Sequence, residues 1–135
     1  MALFVWDNRL KTNITICDEQ HQKLIAILNE LHDAMKAKKD MDLIGKTLTE
    51  LIDYTVYHFQ TEERLLEDHQ FPYLNSHKAE HANLTKEVYD LKKRFNSGEH
   101  VMTTEVLSFL KNWVNDHIIG MDKNYTTFLR NKGVL

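Results

Sequence analysis

HFQTEERLLEDHQFPYLNSHKAEH, residues 58–81, places four histidines and five carboxylates within twenty-four residues. His58 and Glu62 stand four apart, as do His77 and His81, and residues four apart share one face of an α-helix. Between the two pairs lies HQFPY, whose proline interrupts a helix but suits the first turn of the next. The stretch reads as the end of one helix, a turn, and the beginning of another that runs back beside it.

Working outward, the same faces continue. Ile44, Leu48, Leu51, Thr55 and Leu65 share the stripe of His58 and Glu62, which predicts a helix over about 41–67. Leu84, Val88, Leu91 and Phe95 share that of His77 and His81, over about 73–96. His21, Leu24, Leu28, Leu31 and Met35 mark a helix over about 18–38, and Val106, Leu110, Trp113 and His117 one over about 103–131. The breaks fall at KKDMD, HQFPY and NSGEHVMTT. Asp18 and Thr103 are expected as N-caps, Pro72 in the first turn of the third helix, and Gly98 and Gly133 just past helix ends. Residues 1–17 lack helical period and carry the β-branched Thr12, Ile14, Thr15 and Ile16, so they read as an extended arm. The predicted fold is all-α: an up-down-up-down antiparallel four-helix bundle over 18–131 with an N-terminal arm, in one domain spanning 1–135.

Composition agrees with a globular chain. It has 135 residues, 42% hydrophobic and 27% charged, enough for one buried core. A net charge of −3 gives no reason to expect nucleic acid or an anionic membrane as partner. The longest apolar run, LIAIL at 24–28, is far short of the roughly 20 residues that span a bilayer, so no membrane insertion is expected. MALFVW runs into Asp7 and Arg9 without a basic leader, so no signal peptide is expected. Cys17 is the sole cysteine and cannot form an internal disulfide, which fits a reducing cytoplasm. The chain is expected to work there as a monomer.

Histidines stand where leucines should. His21, His58, Glu62, His77, His81 and His117 all lie on stripes that otherwise carry leucine and valine. Burying each such group without a partner costs about 1–3 kcal/mol, against a typical total stability of about 5–15 kcal/mol. They must satisfy one another, and a metal does this best. Antiparallel packing puts all six at one end of the bundle, within about two turns at 1.5 Å rise per residue. His32, His69 and His100 miss the pattern and read as surface residues. Asp122 is ambiguous. Five residues after His117, it sits about 140° round a regular helix and off the shared face. A one-residue π-bulge beside Gly120 would return it, with Tyr125 and Leu129 continuing the stripe. Without a bulge, Met121, Tyr125 and Phe128 continue it and Asp122 is a flanking charge. The periodicity leaves both open.

DEQH (18–21), HFQTE (58–62), HKAEH (77–81) and HIIGMD (117–122) together resemble the four metal-binding motifs of the hemerythrin family, one on each helix. The likeness covers the whole chain, and Trp6 on the arm is similar to the arm tryptophan of single-domain bacterial members. The resemblance implies a non-haem di-iron site with two Fe ions. His77, His81 and His117 would hold one, and His21 and His58 the other. Glu62 and Asp122 would bridge both beside an oxo or hydroxo group, which makes Asp122 a ligand. Cys17 departs from the aliphatic residue common at that position.

The ligand count then carries chemistry. On the implied ligand set one iron would be six-coordinate and the other would keep a vacancy, the mark of a reactive site as opposed to a structural one. Only a small ligand such as O2, NO or a small anion should fit. Leu24, Phe59, Trp113 and Ile118 are expected to line the vacancy with apolar groups that offer no general acid or base. The expected function is reversible O2 binding for storage, transport or delivery, with an oxygen-consuming enzyme as a possible partner, and not catalysis. The alternatives are a di-iron enzyme (a peroxidase or NO reductase) and an O2 or iron sensor. Carboxylate-rich di-iron enzymes carry paired Glu-x-x-His motifs, and no histidine here has Glu three residues before it.

Overall fold

The computed structural model describes residues 3–36 and 41–135. Helices α1 (Thr15–Lys36), α2 (Met41–Asp68), α3 (Leu74–Asn96) and α4 (Thr104–His117) pack as an up-down-up-down antiparallel bundle. The fourth rod continues through a π-helical segment, Ile118–Asp122, into α5 (Asn124–Asn131). The KKDMD break and the expected end of the first helix at 38 fall largely at 37–40, outside the described residues. No helix among the described residues is long and apolar enough to cross a membrane.

Helix ends follow local chemistry. Thr103 caps α4, its hydroxyl accepting from the Val106 N–H. Gly98 and Gly133 adopt φ of +93° and +86°, the left-handed conformation that lets the chain fold back onto the last carbonyls of α3 and α5. Gln70 takes the same role after α2 with φ +59°, and the following Phe71 N–H reaches the Leu66 carbonyl at 2.9 Å.

Three end assignments differ from the sequence reading. α1 begins at Thr15, so Asp18 lies inside its first turn. Its carboxylate instead accepts from the Thr12 N–H and hydroxyl at 2.7 and 2.8 Å and from the Asn13 N–H at 3.1 Å. The arm is therefore shorter than 1–17 and includes a 3-10 turn at Asn8–Leu10. β-branched Thr15 and Ile16 are helical although both are exposed; the burial of their neighbours Ile14 and Cys17 overrides a weak local preference for extended backbone. Pro72 sits in the turn just ahead of α3, not in its first helical turn.

The core is one large cluster running through all four rods, from Leu31, Leu48 and Leu51 to Leu84, Val88 and Leu110, and a smaller one of Ile14, Cys17, Leu66, Phe71, Tyr125 and Leu129. Phe4 and Leu10 of the arm are buried against the bundle. Asn29 clamps the Phe4 backbone with two hydrogen bonds, accepting at 2.9 Å and donating at 2.8 Å. Two inward faces are rotated slightly from expectation. On α4, Leu107 and Val114 are buried while Val106 and Trp113 are half-buried, and on α2 the stripe ends on Leu66 with Leu65 half-buried. Neither His32 nor His69 is a plain surface residue. Both are half-buried, and a His69 ring nitrogen meets the Leu65 carbonyl at 2.8 Å.

Candidate metal centre

The bundle brings all seven expected ligands together. His21 comes from α1, His58 and Glu62 from α2, His77 and His81 from α3, and His117 from α4. Each is at most 3% exposed. Asp122 joins them through the π-helical segment, where the Lys123 N–H reaches back five residues to the Ile118 carbonyl at 3.0 Å. That wider turn puts Asp122, completely buried, on the face of His117. Tyr125 and Leu129, also completely buried, continue the face, while Met121 and Phe128 are half-buried.

Two groups of ligand atoms result. Glu62, His77, His81, His117 and Asp122 form one, and His21, His58, Glu62 and Asp122 the other. The carboxylates are shared, one oxygen to each side. Glu62 Oε2 faces His21 and His58 at 2.9 and 3.2 Å, and its Oε1 faces His77 and His81 at 3.3 and 3.2 Å. Asp122 Oδ2 faces His21 at 2.9 Å, and its Oδ1 faces His77 and His117 at 2.8 and 3.0 Å. All five imidazoles point Nε2 inward, and His81 and His117 meet nitrogen to nitrogen at 3.0 Å.

The residues fit a pair of cations. Both Asp122 oxygens are buried without a hydrogen-bond partner despite three imidazole nitrogens close by, so the lone pairs converge on space between the groups. Three outward nitrogens are held by acceptors: His58 Nδ1 by Gln20 Oε1 at 2.7 Å, His81 Nδ1 by Glu63 Oε2 and His117 Nδ1 by Glu80 Oε1, both at 2.9 Å. Such a backing partner is the usual companion of a metal-binding histidine, since it fixes the tautomer. Each backing residue adjoins a ligand in sequence and reaches a histidine on the next helix. They escape periodicity, because a residue beside a ligand points about 100° off the stripe.

Without cations the cluster balances itself with protons. Burial opposes charge throughout, but the nearby carboxylates of Asp122 and Glu62 carry His21 and His77 up to about 10. Burial wins at His58, whose pKa is lowered. Although burial opposes it, Glu62 is held well below the usual carboxylate range by His58, His21 and His77. Asp122 is lowered too, against burial and the charge of Glu62, by His117 and His21. Tyr125 donates its hydroxyl to Glu62 Oε2 at 2.9 Å, a contact that the stripe alone did not reveal.

Of the four apolar residues expected near the site, two touch its rings and two lie in the adjoining core. Leu24, Phe59 and Ile118 are buried and Trp113 is half-buried. Phe59 stacks on His81 with ring centroids 3.7 Å apart, and Trp113 on His117 at 4.5 Å. A surface cleft of about 270 Å³ lined by Phe71, Tyr73, Ser76, His77, Met121 and Asn124 adjoins the ligands from outside.

Known proteins resemble this chain in sequence and fold. The family model "Hemerythrin HHE cation binding domain" matches residues 12–129. The bacteriohemerythrin of Stenotrophomonas maltophilia (strain R551-3) is 36% identical over 125 residues, 93% of this chain and 80% of that protein. That of Methylococcus capsulatus (strain ATCC 33009 / NCIMB 11132 / Bath) is 36% identical over 126 residues, 93% of this chain and 95% of the relative. A crystal structure of wild-type hemerythrin superposes with a TM-score of 0.88 at 35% identity, covering 93% of this chain and 97% of the other. With a histidine and carboxylate cluster drawn from every rod of the bundle and relatives alike over nearly the full length, this chain belongs to the hemerythrin family.

Proposed function

We propose that the protein binds O2 reversibly at a non-haem di-iron centre, for oxygen storage, transport or delivery. The observation that carries this reading is the unequal partition of ligands around two shared carboxylates: five atoms on one side and four on the other. His77, His81 and His117 would hold one iron and His21 and His58 the other, with Glu62 and Asp122 shared by both. The side with fewer protein ligands would be the one with room for a small molecule. Two irons would supply the pair of electrons that O2 takes on binding and returns on leaving.

The chain's own residues set the conditions. The apolar clusters adjoining the ligand layer keep it dry, and removing water strengthens every electrostatic contact inside. Leu24, Phe59, Trp113 and Ile118 bar water from the binding position and bring no group that would protonate or attack a bound ligand. Tyr125 holds one Glu62 oxygen. The test is spectroscopic. Iron-loaded protein is reduced without air, exposed to O2, then stripped of gas. A visible charge-transfer band that comes and goes over repeated cycles supports the carrier. Oxidation in a single irreversible step, or turnover of NO or peroxide, would replace it with the enzyme reading.

A further inference from the structure

The histidines are backed unequally. With Nε2 directed inward, Nδ1 carries the proton and donates outward. In the five-ligand group two of these protons go to carboxylates, His81 to Glu63 and His117 to Glu80. In the four-ligand group His58 donates to the neutral amide of Gln20, and His21 Nδ1 is buried with no partner. One side therefore has two carboxylates a single ring away from its centre, and among the described residues none backs a ring on the other side.

That difference acts on electrons. A carboxylate accepting an Nδ1 proton makes the imidazole more basic and a stronger donor to its metal. Its charge also favours the more positive oxidation state through Coulomb attraction, strongest where water is excluded. The Glu63 and Glu80 side chains are 25% and 37% exposed, so solvent screens them in part. The rings they touch are buried.

Resting on the reading that the two groups hold two irons, we propose that Glu63, Glu80 and Gln20 are positioning residues that fix the order of oxidation. The iron on His77, His81 and His117 gives up its electron first, and the iron on His21 and His58 last. When ferricyanide takes one electron from the diferrous centre, it becomes ferrocyanide, and the new positive charge appears on the three-histidine side. The iron on the side with fewer ligands stays ferrous in the half-oxidised protein.

The test is a redox titration of iron-loaded protein whose content of two irons per chain has been checked by elemental analysis. Two one-electron steps are expected for the unaltered chain. Glu63→Gln and Glu80→Gln should each raise the lower-potential step and narrow the gap, moving the upper step less. Gln20→Glu, which adds a charge to the other side, should lower the upper step selectively and stands in if the first variants fold poorly. A merely structural role would cost iron or melting temperature without separating the steps. A single two-electron step in the unaltered chain, equal movement of both steps, or no movement overturns the ordering. Uptake of fewer than two irons instead overturns the di-iron reading, and the ordering with it.

Discussion

Glu62 meets four imidazoles with its two oxygens, so none of those four can be removed without disturbing the rest. His77 touches both Glu62 and Asp122. His77→Ala should drop metal content below that of the unaltered chain and destabilise the bundle, because the remaining buried ligands lose their shared partner. Elemental analysis and a thermal melt check it, and unchanged metal content would remove His77 from the ligand set. The wall residues should behave differently. Leu24→Gln or Ile118→Thr keeps every ligand but adds a polar group that can admit water. Autoxidation should run several-fold faster with metal content unchanged. Equal rates in both variants would show that these side chains do not guard the site. At this scale the sequence was legible wherever a polar residue stood on an apolar stripe. Gln20, Glu63 and Glu80 were not legible, because they point off their own stripes and acquire a role only when the next helix is in place.

Among the elements, the segment Ile118–Asp122 decides whether the centre is complete. Periodicity alone left Asp122 open, since one extra residue in a helix changes which face everything after it presents. The π-helical turn absorbs that residue and restores the stripe at Tyr125 and Leu129. A consequence follows for Ile119, which is exposed. Deleting it leaves His117 and Asp122 four apart, the spacing that shares a face in ordinary α-helix. The shortened protein should keep its metal content and gain stability, by about 1 kcal/mol for a regained regular hydrogen bond. Metal loss on deletion would mean that the wide turn itself orients the carboxylate. α4 shows the limit of stripe reading: 106, 107, 110, 113, 114 and 117 are apolar or histidine, so two adjacent faces fit a 3.6-residue period equally well. Only packing chose Leu107 and Val114 for the deepest positions. The arm was misread for a related reason, since Ile14 and Cys17 are buried by tertiary contacts that local preference does not register.

For the molecule as a whole, the ligand layer ties every rod of the bundle together at one level, so whatever charge occupies it bears on global stability. In the metal-free protein protons take that part. His21 and His77 rise from 6.5 to about 10 on folding, so the folded chain holds protons that the unfolded chain has released. Their contribution is fully present below about 6.5 and is lost as pH rises toward 10, at most about 1.4 kcal/mol per pH unit for each retained proton. The lowered pKa values of Glu62 and Asp122 work at the other end, stabilising above the usual carboxylate range and failing in acid. His58, lowered by burial, adds a penalty below about 6.5. Buried Cys17 and Tyr125, both raised chiefly by burial, subtract stability only above about 9 to 10, with or without metal. The melting temperature of the metal-free protein should therefore fall steadily between pH 6.5 and 9. The metal-loaded protein should melt higher and vary less over the same range, because cations replace the protons and bind more tightly as competition from them declines. Thermal melts of both forms at half-unit intervals decide it. Parallel curves, or a metal-free protein as stable at pH 9 as at 6.5, would mean that the buried histidines are not held protonated by Glu62 and Asp122.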